Sequence, residues 1–188
     1  MDLWTRLRAL PPVVDPPGAE YAVLVPLYED DRGDVRVILT KRPDHMPTHP
    51  GDVVFPGGHR ELGEEPISTA RREAHEEIGL PYDALDEVLG GLTPVTTRDR
   101  SRPIVPVVAR VTRPGELVPD PSEVELIIEP TIDFLLDDGN WVQRDWFGHP
   151  LWFCEFDDGI LWGATAFMMR ELIGFLRGEG MREEDERG

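Results

Sequence analysis

A single cysteine, Cys154, in 188 residues rules out an intramolecular disulfide, so nothing in the chain asks for an oxidising compartment. Basic residues are also scarce: 19 Lys and Arg stand against 37 Asp and Glu, a formal net charge of −18. Such a surface argues against non-specific binding to nucleic acid or to anionic membrane, because both depend on Lys and Arg neutralising phosphates. No stretch approaches the ~18 apolar residues of a membrane-spanning helix, and the N-terminal segment lacks the apolar run of a signal peptide. A cytoplasmic location is therefore expected. There is no internal repeat, no Walker A phosphate loop, no Cys/His zinc spacing and no G-x-S-x-G nucleophile elbow.

What is present is a dense run of carboxylates between Gly57 and Leu80. Pro66 suits the first turn of a helix, where its missing N–H costs nothing, and Gly79 suits a helix stop, so a helix is predicted from Pro66 to Ile78. Ile67, Ala70, Ala74 and Ile78 recur at helical steps as its apolar face. Glu73, Glu76 and Glu77 fall on the other side at i, i+3 and i+4, where like charges repel by a few tenths of a kcal/mol per pair. A hard divalent cation such as Mg²⁺, which takes oxygen ligands and is usually shared with substrate phosphates, resolves that conflict. A solvated acidic face is the plain alternative.

The rest of the chain reads as one domain of mixed elements, residues 20–178, preceded by an arm at 1–19 and followed by a charged tail at 179–188 that is expected to be disordered. Leu3, Trp4, Leu7 and Leu10 suggest a short amphipathic helix that stops at Pro11-Pro12. Strands are predicted at Tyr21–Tyr28 and Val35–Thr40 around an Asp30–Asp34 turn, with Pro26 arguing against a central place for the first. Further strands are predicted at Val53–Phe55, Glu87–Leu92, Ile104–Val111, Trp141–Phe147 and Leu151–Phe156, the last turning through Asp157-Asp158-Gly159 to Ile160 and Leu161. Thr131–Leu136 reads as a helical turn. A closing helix is predicted from Gly163 to Arg177, with Ala164, Phe167, Met168, Leu172, Phe175 and Leu176 inward.

Two loops concentrate cations: Lys41, Arg42, His45 and His49 before the acidic run, and Arg98, Arg100 and Arg102 after it. Each is either solvated charge or a receiver for an anionic ligand. Trp146, Trp152 and Trp162 are read as packing residues, with adenine stacking as the alternative.

The complete acidic pattern is more specific. Gly58, five residues, Glu64, seven residues, then Arg72-Glu73-Ala74-His75-Glu76-Glu77-Ile78-Gly79-Leu80 resembles the Nudix box, with Ala74 a small occupant of its first aliphatic place. Seven fixed positions coincide by chance on the order of once in 10⁸ trials at background residue frequencies, so coincidence is set aside. The resemblance implies an α/β/α sandwich around a mixed sheet, and an Mg²⁺- or Mn²⁺-dependent hydrolase of a nucleoside diphosphate linked to another moiety. It implies that Glu73, Glu76 and Glu77, with the main-chain carbonyl of Gly58, hold the metal, and that Glu64 and Arg72 brace loop against helix. A downstream carboxylate often serves such enzymes as a further ligand or base; Glu125 and Glu123 are the candidates, against a reading as exposed strand charges.

Upstream, Leu39-Thr40-Lys41-Arg42, Gly51 and Phe55-Pro56-Gly57-Gly58 resemble in register a signature of coenzyme A diphosphatases, and Trp162-Gly163-Ala164-Thr165-Ala166 resembles their W-G-x-T-A segment. Pro43 and Pro47 depart from that signature, the latter where an arginine is expected. By this resemblance Lys41, Arg42, His49, Phe55 and Arg98 would contact substrate. The expected reaction is cleavage of coenzyme A or its thioesters to 3′,5′-ADP and 4′-phosphopantetheine. Hydrolysis of ADP-ribose, NADH or a dinucleoside polyphosphate stays open, as does a Nudix-fold binding module without catalysis. The partner expected is a small-molecule nucleotide, with a homodimer left open.

Overall fold

The computed structural model describes residues 2–179 apart from 47, 48, 98, 99, 114 and 147. In chain order it runs α1 (Leu3–Leu7), β1 (Tyr21–Glu29), β2 (Val35–Val37), β3 (Leu39–Lys41), β4 (Asp52–Val54), β5 (Gly57–His59), α2 (Pro66–Ile78), β6 (Leu85–Gly91), β7 (Val95–Thr97) and β8 (Arg100–Val111). Then follow β9 (Leu126–Ile128), α3 (Ile132–Leu136), β10 (Trp141–Trp146), β11 (His149–Phe156), β12 (Gly159–Leu161) and α4 (Gly163–Arg177). Both long helices have the predicted bounds. The α/β class expected from the sequence is borne out, with the strands arranged in two mixed sheets.

The first sheet has the order β2-β1-β8-β6, with β5 added to β1 and β7 to β8. Its axis is the parallel pair β1–β8, from Tyr21 opposite Ile104 to Leu27 opposite Arg110. Both faces of that pair are covered, which explains an almost unbroken apolar run rather than alternation. Ala22, Leu24, Val105 and Val107 pack under α2, while Val25, Leu27 and Val108 face the larger core shared with the second sheet, α1 and α4. Pro26 is central after all. Leu24 donates its N–H to Pro56 O on the edge shared by β5 and β2, and a residue two further on points the same way. Pro26 thus aims its missing donor into the gap between β5, which ends opposite Val23, and β2, which begins opposite Leu27.

The second sheet has the order β10-β11-β12-β4-β3-β9. The predicted strand Val35–Thr40 is divided between the sheets, β2 pairing with β1 and β3 with β4 and β9. The change of sheet falls at Ile38, which is fully buried and donates its N–H to Pro26 O at 3.0 Å. Thr96, Thr97, Arg100, Ser101 and Arg102, expected in a loop, belong to β7 and β8.

Helix α2 begins at Pro66 and ends at Gly79 in the left-handed region, φ 66°. There Gly79 N–H bonds His75 O at 3.0 Å and Leu80 N–H bonds Ala74 O at 3.3 Å, the paired closure that glycine permits. Ala70, Ala74 and Ile78 are fully buried as expected, but Ile67 is exposed and Thr69 and Glu77 are buried instead. Helix α4 buries Thr165, Ala166, Met169, Glu171 and Ile173 beside Met168, Leu172 and Leu176, more than one stripe, whereas Phe167 stays partly exposed.

The N-terminal arm is fastened in place. Trp4, Leu7 and Leu10 are buried, Arg6 donates to Leu176 O at 2.7 Å, and Arg60 forks onto Asp15 at 2.7 and 3.0 Å. Among the described residues no helix is long and apolar enough to cross a membrane. The tail beyond 179 lies outside the described residues.

Candidate active site

A cleft of about 1870 Å³ opens where the N-terminal end of β1, the turn into β5, the inner edge of α2 and the β10–β12 half of the second sheet meet. Its acidic floor is made by Glu73, Glu76 and Glu77 of α2 and Glu123 of the loop after β8.

Arg72 organises this floor. Its Nε and Nη2 reach the two oxygens of Glu64, both at 3.1 Å, and Nη1 spans Glu73 at 3.0 Å and Glu76 at 2.9 Å. Nη2 also donates to His59 O at 2.9 Å, which ties the helix to the end of β5. A fork of five donors is suited to this work in a way a lysine is not. Glu64 further accepts from Thr69 Oγ1 at 2.8 Å and from Glu61 N–H at 3.1 Å. The Arg72 contact, with help from these donors, pushes the Glu64 carboxyl down to about 2.

Glu77 is in the opposite situation. It is 5 % exposed, and its Oε2 accepts the Gly57 N–H at 3.0 Å. Burial pushes its carboxyl up to about 8, with the charges of Glu73 and Glu123 adding to the shift and Gly57 and Arg42 opposing it. Burial likewise raises Glu73, against the pull of Arg72. Two carboxyls side by side, each costly to ionise, mark a site short of positive charge.

Gly58 fits this floor by having no side chain. A Cβ there would lie 2.5 Å from the Glu73 carboxylate, and one at Gly57 would lie 2.5 Å from Ala22 O. The glycine pair thus lets the strand approach both helix and sheet.

The donor set suits a hard cation: carboxylates on one helix edge, held against a main-chain turn at Gly57-Gly58 and outnumbering the Arg72 guanidinium that pairs with Glu73 and Glu76. Among the described residues no three carboxylate or imidazole groups are already closed into a cage, and Arg72 pairs with both Glu73 and Glu76.

The residues expected from the sequence separate into two sets. Gly58, Glu73, Glu76 and Glu77 line the cleft with Arg42, His49 and Phe55, and Glu64 and Arg72 support them from behind. Phe55 is only 2 % exposed, so it is mostly core. The Nε of Arg42 is buried without a hydrogen-bond partner among the described residues. Lys41 and Glu125 are not among the lining residues; they pair with each other at 2.9 Å. Arg98 lies outside the described residues, and Arg102 is paired with Glu20.

Two features were not read from the sequence. Asp52 Oδ1 accepts the Trp162 indole N–H at 2.9 Å, and its other oxygen faces His49 Nδ1 at 3.2 Å. Glu171, buried on α4, accepts from Thr93 N–H at 3.1 Å and Thr93 Oγ1 at 2.6 Å, fixing a residue of the cleft rim. The buried Glu171 inside a helical apolar stripe was the available signal for the second.

Residues 19–149 match the NUDIX domain. The chain is 37 % identical over 156 residues to Nudix hydrolase 15, mitochondrial, of Arabidopsis thaliana, covering 77 % of this chain and 54 % of that protein. It is 33 % identical over 156 residues to the uncharacterized Nudix hydrolase NudL of Enterobacter sp. (strain 638), covering 80 % of this chain and 79 % of the relative. The chain spans about half the length of the plant relatives it matches. Among solved structures, the Nudix hydrolase RenU of M. smegmatis superposes with a TM-score of 0.50 at 24 % identity, over 62 % of this chain and 73 % of that one, a likeness of fold.

Proposed function

The chain belongs to the NUDIX domain family, and on that premise we propose that it is an Mg²⁺- or Mn²⁺-dependent diphosphatase acting on coenzyme A or its thioesters. One observation carries the choice of substrate. The two stretches that resemble coenzyme A diphosphatases, one around Leu39–Gly58 and the other at Trp162–Ala166, lie far apart in sequence yet line the same cleft. The Asp52–Trp162 hydrogen bond at 2.9 Å, across 110 positions of sequence, fastens one to the other. The cleft, at about 1870 Å³, also has the volume for a ligand of that size.

In this reading Arg42 meets the diphosphate, filling the hydrogen-bonding capacity now buried and unused at its Nε. Glu73, Glu76, Glu77 and the Gly58 carbonyl would hold the divalent ion, which supplies charge neutralisation to a diphosphate that this acidic floor would otherwise repel. Arg72 and Glu64 keep the carboxylates at the right height along α2. Glu123, close enough to raise Glu77 and Glu73, is the acceptor for the proton of the attacking water. Water adds its oxygen to one phosphorus, the bridging P–O bond breaks, and two phosphomonoesters leave: 3′,5′-ADP and 4′-phosphopantetheine.

The test is a panel at equal concentration, coenzyme A, 3′-dephospho-coenzyme A, ADP-ribose, NADH and diadenosine polyphosphates, compared by kcat/KM with and without Mg²⁺. Coenzyme A is expected to lead, with a moderate loss for the dephospho form and no turnover without metal. A higher value for ADP-ribose or NADH rejects the substrate while leaving diphosphatase chemistry in place.

A further inference from the structure

We propose that the second-sheet wall of the cleft is a subsite for a purine nucleoside bearing a 3′-phosphate: Trp162 and Phe153 receive the base, and Arg144 receives the phosphate. The proposal rests on the substrate reading above; Trp162 belongs to a stretch that resembles coenzyme A diphosphatases, whereas Phe153 and Arg144 lie outside both such stretches.

Arg144 and Phe153 come from the adjacent strands β10 and β11, and Trp162 follows directly on β12 as the N-cap of α4. Val142 is opposite Phe153 and Arg144 opposite Leu151 in the β10–β11 pairing, while Cys154 is opposite Leu161, one residue before Trp162. Phe153 and Trp162 lie parallel within 5°, their ring centroids 6.2 Å apart, and the Arg144 guanidinium sits 5.1 Å from the Phe153 centroid. All three line the cleft.

Trp162 remains 40 % exposed and shares the cleft wall with Phe153 and the 44 % exposed Ile160, an apolar patch of the kind that marks a ligand groove. Its orientation is fixed before any ligand arrives, because the indole N–H is held by Asp52 and Asp52 is in turn held by His49. A preset aromatic plane is what a nucleobase needs, since every base presents a π face. Arg144 makes no ion pair among the described residues, and with its guanidinium carbon over the Phe153 ring it has N–H donors to offer an anion. Glu155, two residues along the same face of β11, offers an acceptor suited to an exocyclic amine.

Calorimetric titration of the full chain in Mg²⁺ buffer tests this with two ligands that cannot be hydrolysed as diphosphates: adenosine 3′,5′-bisphosphate and AMP. The parent should bind the bisphosphate about tenfold more tightly than AMP, the usual weight of one charged hydrogen bond. Arg144→Gln should erase that preference and leave AMP unchanged. Trp162→Leu should weaken both about tenfold or more, and Trp162→Phe, which keeps a ring without the N–H, should weaken them much less. Equal losses for both ligands in Arg144→Gln, or a Trp162→Leu variant within twofold of the parent, would overturn the subsite. The two readings also fail separately. If coenzyme A is not hydrolysed but this binding pattern holds, the subsite stands and the substrate falls; if coenzyme A is hydrolysed with kcat/KM indifferent to both variants, the reverse holds.

Discussion

Glu77 Oε2 accepts the main-chain N–H of Gly57 at 3.0 Å, so the buried carboxylate of α2 is pinned to the turn that leads into β5. Glu77→Gln keeps an acceptor oxygen for that N–H and the length of the side chain, but removes the charge. Turnover is expected to fall by several orders of magnitude at saturating Mg²⁺ while the circular dichroism spectrum is unchanged. Activity within tenfold of the parent would show that the Glu77 charge does not serve the reaction.

The same burial predicts a pH dependence of stability in the metal-free protein. The unfolded chain releases the Glu77 proton near its ordinary value of 4.5, whereas the folded chain keeps it until about 8. The stability this protonated group contributes is therefore complete below about 4.5 and lost as pH rises to about 8. Urea midpoints measured in EDTA should fall across that window more steeply for the parent than for Glu77→Gln, and the two slopes should agree above it. Equal slopes within the window would contradict the raised value.

Gly57 and Gly58 separate fold from function. At Gly57 an added Cβ would meet Ala22 O at 2.5 Å and Val23 Cα at 2.6 Å, both backbone of β1. Gly57→Ala should lower the melting temperature markedly, because neither atom can move alone. At Gly58 the collision is with the end of Glu73, a side chain that can turn aside. Gly58→Ala should fold with little loss of melting temperature yet lose most activity, since the carboxylate is displaced. The reverse ranking in thermal melts would sink this account.

The sequence made the local structure legible where one residue settles it. Pro66 and Gly79 delimit α2 by what their backbones can and cannot do, and the spacing from Gly58 to Leu80 marks the floor of the cleft. What it hid depends on pairing at a distance. Val35, Val37, Ile38 and Thr40 favour strands throughout this stretch, and only the competing partners β1 and β4 divide it at Ile38. Ile67 has the right period for the inner face of α2 but lies in the first turn, where that face is already filled by Pro66, Thr69 and Ala70. Lys41 looked like a phosphate contact because Glu125, 84 positions later, was not visible as its counter-ion.

That pairing now distinguishes two carboxylates that the sequence left equal. Glu125 is tied to Lys41, which lowers its carboxyl and turns it from the cleft lining, while Glu123 faces Glu73 and Glu77. A positioned base contributes typically 10²–10⁴-fold. Glu123→Gln should cost a factor in that range in kcat, and Glu125→Gln less than threefold. Similar small losses in both would remove Glu123 from the proton transfer.

Arg42 carries the last prediction, because its buried Nε lacks a hydrogen-bond partner among the described residues. An unmade bond of this kind is costly in the free protein, so a ligand oxygen that completes it gains more than at a solvated arginine. The chain already holds the residue in place without using that donor: Arg42 N–H bonds Asp52 O at 2.9 Å and Arg42 O accepts Gly51 N–H at 3.1 Å. Backbone bonds survive a change of side chain, so Arg42→Lys and Arg42→Met should both fold. Lysine restores the charge but not the fork, and it should recover only part of the loss. The expected fall in kcat/KM for coenzyme A is on the order of 10- to 100-fold in Arg42→Met, the weight of one charged hydrogen bond, with Arg42→Lys between it and the parent. The loss should appear mainly in KM if Arg42 holds substrate and transition state alike, and mainly in kcat if it meets charge that develops only as the P–O bond breaks. A methionine variant with unchanged kcat/KM would take Arg42 out of the diphosphate site and leave the cleft without the cation that the sequence and its buried donor both point to.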